Sequence, residues 1–144
     1  ENIINAKGNV RLSQEGTELT SEKLDYYVND NLAQFRGGVV QLRDKENNIL
    51  RTHFLDYNTA DSVAVFSKGA SMKDKDGQII ESLDGTYSSK AKLFTFEKDV
   101  NMFTDSVFIK TQALDYHTDS QKAVFRTYID FWKDDNMLTA SSVL

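Results

Sequence analysis

The 144-residue chain has no cysteine and no proline. The first absence excludes disulfides, zinc–thiolate centres and thiol catalysis, so stability must come from packing and hydrogen-bonded backbone. The second is unusual, since average usage near 5% would give about seven prolines. No residue lacks a backbone donor, and nothing interrupts a hydrogen-bond ladder. No apolar run approaches the ~20 residues of a helical membrane span. Positive charge is short as well: 17 Lys+Arg stand against 22 Asp+Glu, a net charge of −5. Lysines are interleaved with acids, as in Lys73-Asp74-Lys75-Asp76. A basic stripe for phosphate contacts is therefore missing, and no nucleic-acid partner is expected.

Chemistry-bearing clusters are equally scarce. The two histidines, His53 and His117, fall at unrelated positions and read as surface residues rather than metal ligands. Asp74-x-Asp76-Gly77 has the spacing of the start of a calcium loop. Position 72 is Met, where a further acidic ligand is needed, so an Asp-Gly turn is the reading. No metal, no cofactor and no catalytic residue is expected, and the chain does not read as an enzyme.

What is present is a repeat of about thirty residues, the first thing to seek in a chain of this kind. Tyrosines fall at Tyr26, Tyr57, Tyr87 and Tyr116, and phenylalanines at Phe35, Phe66, Phe96 and Phe125, nine residues after each tyrosine. Five positions before each tyrosine stands a hydroxyl: Ser21, Thr52, Ser82 or Thr111. Two before it come Leu24, Leu55, Gly85 and Leu114; two before each phenylalanine come Ala33, Ala64, Phe94 and Ala123. The third unit is the least typical, with Gly85-Thr86 where the others have Leu-Asp.

Within a unit the apolar residues alternate, as at Leu24, Tyr26 and Val28 or Ala33 and Phe35, which is strand spacing. Polar clusters rich in Asn, Asp, Gly and Ser separate the runs and supply turns. The pattern predicts about ten extended segments of roughly ten residues and little or no helix. Gly8, Gly37 with Gly38, and Gly69 predict corners where the chain passes from one sheet to another. An uneven spacing between phenylalanine and the next apolar pair (Val40/Leu42 against Ala70/Met72) predicts a bulge. Asp25, Asp56 and Asp115 alternate with the tyrosines and read as a solvated outer row. The fold class is all-β: an open two-sheet jellyroll or roll of about four and a half antiparallel repeat units. It is one domain over residues 1–144. The chain opens on Glu1 without a basic-then-apolar leader. Thr139-Ala140-Ser141-Ser142 restarts the motif of Leu19-Thr20-Ser21, so a fragment of a longer chain is expected.

The run Ala6-Lys7-Gly8-Asn9-Val10-Arg11-Leu12, then Leu19-Thr20-Ser21-Glu22-Lys23-Leu24-Asp25-Tyr26, resembles the OstA-like family. Its units read as a G-N-V-x-L strand, a polar turn and an L-x-[AS]-x-x-L-x-Y strand. Gly38-Val39-Val40-Gln41-Leu42 through Leu55-Asp56-Tyr57 is similar; the third and fourth units keep only the L-x-Y half, loosely. The resemblance implies an open-edged jellyroll in the periplasm of Gram-negative bacteria. It implies head-to-tail joining, with further copies or with other lipopolysaccharide-transport components, through terminal strands. It also implies an apolar trough that shields the acyl chains of lipopolysaccharide or a similar amphipathic lipid. On that resemblance the trough is lined by Val10, Leu12, Leu24, Tyr26, Phe35, Val40, Leu42, Leu55, Tyr57 and Phe66. The alternative is a structural or self-associating β-repeat scaffold without a lipid ligand, because a repeated Tyr/Phe ladder is by default a packed core.

Overall fold

In the computed structural model, residues 2–133 and 136–140 are described, the last five by their backbone alone. The expected ten segments are there. Seven are single strands: β1 (Ile3–Gln14), β2 (Thr17–Tyr27), β3 (Leu32–Arg43), β4 (Ile49–Asn58), β9 (Leu93–Thr104), β10 (Val107–His117) and β13 (Asn136–Ala140). Three break in the middle, giving β5 (Val63–Phe66) with β6 (Ala70–Lys73), β7 (Ile79–Ser82) with β8 (Asp84–Ser88), and β11 (Lys122–Phe125) with β12 (Ile129–Lys133). The thirteen strands join in one antiparallel sheet. Among the described residues a single 3₁₀ turn, Val28–Asp30, is the only helical piece. The restart of the motif at 141–142 lies outside the described residues, as do positions 134 and 135 of the last turn.

The sheet doubles over along a crease that crosses the first nine segments, and its two halves differ in character. On one side runs an aliphatic ladder. Its inward row pairs, strand by strand, Leu12, Leu19, Leu42, Leu50, Met72, Ile80, Met102, Ile109 and Phe131. On the other side runs an aromatic ladder with two inward rows. One pairs Tyr26, Ala33, Tyr57, Ala64, Tyr87, Phe94, Tyr116 and Ala123. The other holds Leu24, Phe35 and Leu55, then Phe66, Gly85, Phe96, Leu114 and Phe125. The repeat columns are thus cross-strand partners: each tyrosine lies beside a small alanine, each leucine beside a phenylalanine, so large and small alternate across the face. Buried residues of both ladders form one cluster. At roughly 1.5–3 kcal/mol for each fully buried aliphatic or phenyl side chain, this cluster is the main source of stability.

The atypical third unit is a compensated exchange of volume. A Cβ on Gly85 would stand 2.3 Å from the ring of Phe66 and 2.3 Å from the carbonyl of Thr95. The leucine of the other units has no room there. The missing bulk reappears at Phe94, which fills an alanine position, stacks on Phe96 at 6.0 Å and lies tilted against Tyr87 at 4.5 Å.

The crease explains the remaining columns. Alternate segments turn it by left-handed backbone, at Gly8-Asn9, Gly37-Gly38, Gly69 and Lys98-Asp99. The segments between them turn it by hydroxyls that bond carbonyls left free by the broken ladder. Ser21 donates to Lys23 O (2.8 Å), Thr52 to Gly69 O (2.7 Å), Ser82 to Asp84 O (2.8 Å) and Thr111 to Tyr128 O (3.2 Å). The predicted bulge falls in β3, where the register shifts between Arg36 and Val40. Asp25, Asp56 and Asp115 point outward as expected, but two of them are paired rather than simply solvated. Asp25 meets Arg36 at 2.6 Å and Asp115 meets Arg126 at 2.9 Å.

Candidate ligand-binding interior

The ten residues expected to line a trough all face the space between the ladders. Leu24, Phe35, Val40, Leu42, Leu55, Tyr57 and Phe66 are buried; Val10, Leu12 and Tyr26 are half-buried and packed against the same cluster. The three less covered residues share one end of the molecule, on β1 and β2. That end is an edge among the described residues, where β1 pairs only with β2; at the other end β13 pairs there only with β12. Ile3 and Ile4 on the edge strand are about half exposed, at 48% and 53%.

Between these ends the interior is filled by its own side chains. Leu19, Val40, Leu42, Leu50, Tyr57, Met72, Ile80, Phe94 and Tyr116 are fully buried. The space between the ladders is a packed seam rather than a groove.

Opposite the crease the two ladders meet along a polar rim, and this is where the tyrosine hydroxyls go. Tyr57 donates to Gln14 Oε1, which also takes the Ser62 hydroxyl at 3.0 Å; Gln14 Nε2 donates to Thr59 O at 3.0 Å. Tyr116 donates to Asp74 Oδ2 at 2.8 Å, and Gln121 Nε2 to Asp76 Oδ2 at 2.9 Å. Tyr26 and Thr59 share a hydrogen bond of 3.3 Å. Most of these contacts link a turn of the aliphatic ladder to the aromatic ladder about 42–48 residues later. They are clasps between turns of the roll.

Two buried carboxylates organise that rim. Asp44 Oδ1 accepts the backbone N–H groups of Glu46 and Asn48, and Asp74 Oδ1 those of Asp76 and Gln78. Both are 4% exposed. Asp74 is the turn expected from the sequence. Burial raises the pKa of all three buried ring hydroxyls. For Tyr57 it outweighs the Ser62 hydrogen bond, which acts the other way. Tyr87 is pushed up to about 12, first by burial and then by the Asp44 charge against the relief offered by Thr17. Tyr116 is raised furthest, by burial and by its bond to the Asp74 carboxylate. The hydroxyls therefore remain neutral donors across the physiological range.

Asp74 is read from the sequence as the start of an Asp-Gly turn; Asp44 is not singled out there, although a signal exists. They stand thirty residues apart, each with an amide side chain four positions later, Asn48 and Gln78. His53 and His117 hold no shared site. The His53 ring bonds Gly38 O at 3.0 Å near the crease, far along the chain from any other histidine.

The arrangement, a doubled antiparallel sheet with an apolar seam, is one that a solved structure shares. A crystal structure of LptH from Pseudomonas aeruginosa is similar, with a TM-score of 0.64 at 10% identity, covering 86% of this chain and 93% of that one. LptH is described as the LptA-homologous periplasmic component of the conserved lipopolysaccharide transport device. No curated protein sequence matches the chain. The OstA-like protein profile matches residues 1–112. This chain belongs to the OstA-like family.

Proposed function

We propose that this protein is a periplasmic bridge or carrier that takes lipopolysaccharide, or a closely similar amphipathic lipid, toward the outer membrane. Membership of the OstA-like family carries the reading. The unbroken inward rows and the two unpaired edges support it. Acyl chains lie against Val10, Leu12, Leu24, Tyr26, Phe35, Val40, Leu42, Leu55, Tyr57 and Phe66, entering where β1 and β2 leave the seam half covered. Edge strands β1 and β13 join head to tail with further copies or with other transport components, as unpaired strand edges favour. The protein acts without catalysis.

Magnitudes make such loading feasible. Each rim hydrogen bond contributes about 1 kcal/mol net, so the clasps above hold the rim with a handful of kcal/mol. Burying one acyl CH₂ is worth ~0.8 kcal/mol. A chain segment of about eight methylenes therefore offsets the rim. Photo-crosslinkers at positions 26, 57 and 66 should yield lipopolysaccharide adducts, with surface positions such as 90 giving none. Adducts at surface positions alone would overturn the proposal.

The filled interior favours a second reading, a self-associating scaffold whose seam never opens. That reading expects no adduct at any inward position and concentration-dependent assembly in sedimentation, with or without lipid.

A further inference from the structure

A crevice of about 490 Å³ lies outside the seam, on the outer side of the crease. It exists because the crease is broken on two neighbouring segments, between β5 and β6 and between β7 and β8. Its walls come from β4, the loop into β6, β7 and β9, in that order across the sheet. Charge is sorted by wall. Arg51 and Lys68 stand on the β4–β6 side; Glu81 and Asp99 stand on the β7–β9 side. Val39 and Leu83, about half exposed, supply apolar lining.

The cationic wall is uncompensated. Among the described residues neither Arg51 nor Lys68 makes an ion pair, whereas Arg11, Arg36, Lys98 and Arg126 each do. Lys68 is held in place by the Phe54 ring, 5.2 Å from its centroid. Across the crevice Glu81 is held by Asn101 Nδ2 at 3.2 Å, which leaves its second oxygen for another donor. Opposite charges that face each other without meeting fit a ligand carrying both.

We infer that this crevice binds a short zwitterionic headgroup, a phosphate joined to an ammonium by a two-carbon link. The phosphate lies against Arg51 and Lys68 and the ammonium against Glu81 and Asp99. Any apolar stem on the ligand leaves past Val39 and Leu83. Arg51 and Glu81 stand in one register row with Ser71 between them, so their backbones are two strand separations, about 10 Å, apart, a span of the scale of a short ligand. A lone phosphate would satisfy one wall only. The site is independent of the lipopolysaccharide reading, since it shares no side chain with the seam rows.

The test is titration of the isotope-labelled full chain with O-phosphoethanolamine, glycerol phosphate or ethanolamine, followed by amide chemical shifts. O-phosphoethanolamine should move resonances of 51–53, 68–71, 81–83 and 99–101 and bind at least tenfold more tightly than the other two. Arg51→Gln should weaken it about tenfold. Glu81→Gln should erase the preference over glycerol phosphate while leaving the spectrum folded. Equal shifts with glycerol phosphate in the unmodified chain, or no shift at these positions, would overturn the inference. A short-chain phosphatidylethanolamine below its micelle concentration distinguishes the source. Tighter binding than the free headgroup assigns a lipid, and equal binding assigns a soluble compound.

Discussion

The turns built on Asp44 and on Asp74 sit thirty residues apart in the repeat and begin identically. In each, one carboxylate oxygen gathers two backbone N–H groups and the other takes a side-chain amide, from Asn48 at 2.8 Å or Gln78 at 2.9 Å. They part at the next contact. Asp74 Oδ2 also receives the Tyr116 hydroxyl, so that turn is fastened to the far ladder. The corresponding tyrosine of the Asp44 turn is Tyr87, which lies near enough to feel its charge but has Thr17 as its hydrogen-bonding neighbour. Asn48, one methylene shorter than Gln78, keeps its Oδ1 buried without a partner among the described residues. One local motif thus makes two different structures: a self-contained turn and a clasp. A local sequence signature specifies the turn; whether it becomes a clasp depends on what the folded roll brings opposite.

The largest expected effect separates the two carboxylates. Asp74→Ala removes the turn acceptor and also strands a buried tyrosine hydroxyl, for a loss of about 3 kcal/mol. Asp44→Ala removes the turn acceptor alone and should cost about 1 kcal/mol less. Urea unfolding of both variants measures the difference; equal losses would mean that Tyr116 gains nothing from its carboxylate.

A smaller effect concerns the tyrosines and pH. Both are raised above the ordinary tyrosine value near 10, so the neutral form is the one the fold stabilises. Their contribution is complete below about pH 10 and is lost as pH rises from there through the folded values. Tyr116→Phe should cost about 1 kcal/mol at neutral pH and flatten the alkaline fall in stability. Tyr87→Phe should cost less and flatten it less. Unfolding free energies at a series of pH values from 8 to about 11.5 would show it. An alkaline fall unchanged by Tyr116→Phe would remove the clasp from the account.

The smallest effect belongs to the exposed bond beside the clasp. Gln121→Ala, which breaks the 2.9 Å contact with Asp76, should change stability by no more than about 0.5 kcal/mol. A larger loss would shift the fastening from Tyr116 to the outer rim.

Much of this was legible beforehand because a β-repeat writes its cross-strand partners into columns. Tyr57 lies beside Ala33 and Ala64, and Leu55 beside Phe35. Such contacts recur at one fixed spacing. Gly8, Gly37 with Gly38, and Gly69 marked three of the crease positions; Lys98-Asp99 turns the next one with no glycine to show it. The exchange of bulk between Gly85 and Phe94 makes the third unit the least typical in sequence, because its logic lies in Phe66 on another strand. The clasps were hidden for a related reason. Gln14 meets Tyr57, and Asp74 meets Tyr116, at separations set by how the sheet is doubled over rather than by the repeat itself. The unpaired cations of the outer crevice left no trace in any column.

The crease carries one more consequence. From Phe35 to Val40 the chain takes five steps, while from Phe66 to Ala70, from Phe96 to Val100 and from Phe125 to Ile129 it takes four. Leu42 still pairs with Leu19 and Leu50, in line with every other member of its row. The extra residue is swallowed between the two Gly φ values of 93° and 67°, and neither ladder feels it. In a sheet where a one-residue slip turns every side chain to the wrong face, the crease works as an expansion joint. Insertions and deletions that would be ruinous within either ladder can be absorbed there, one segment at a time.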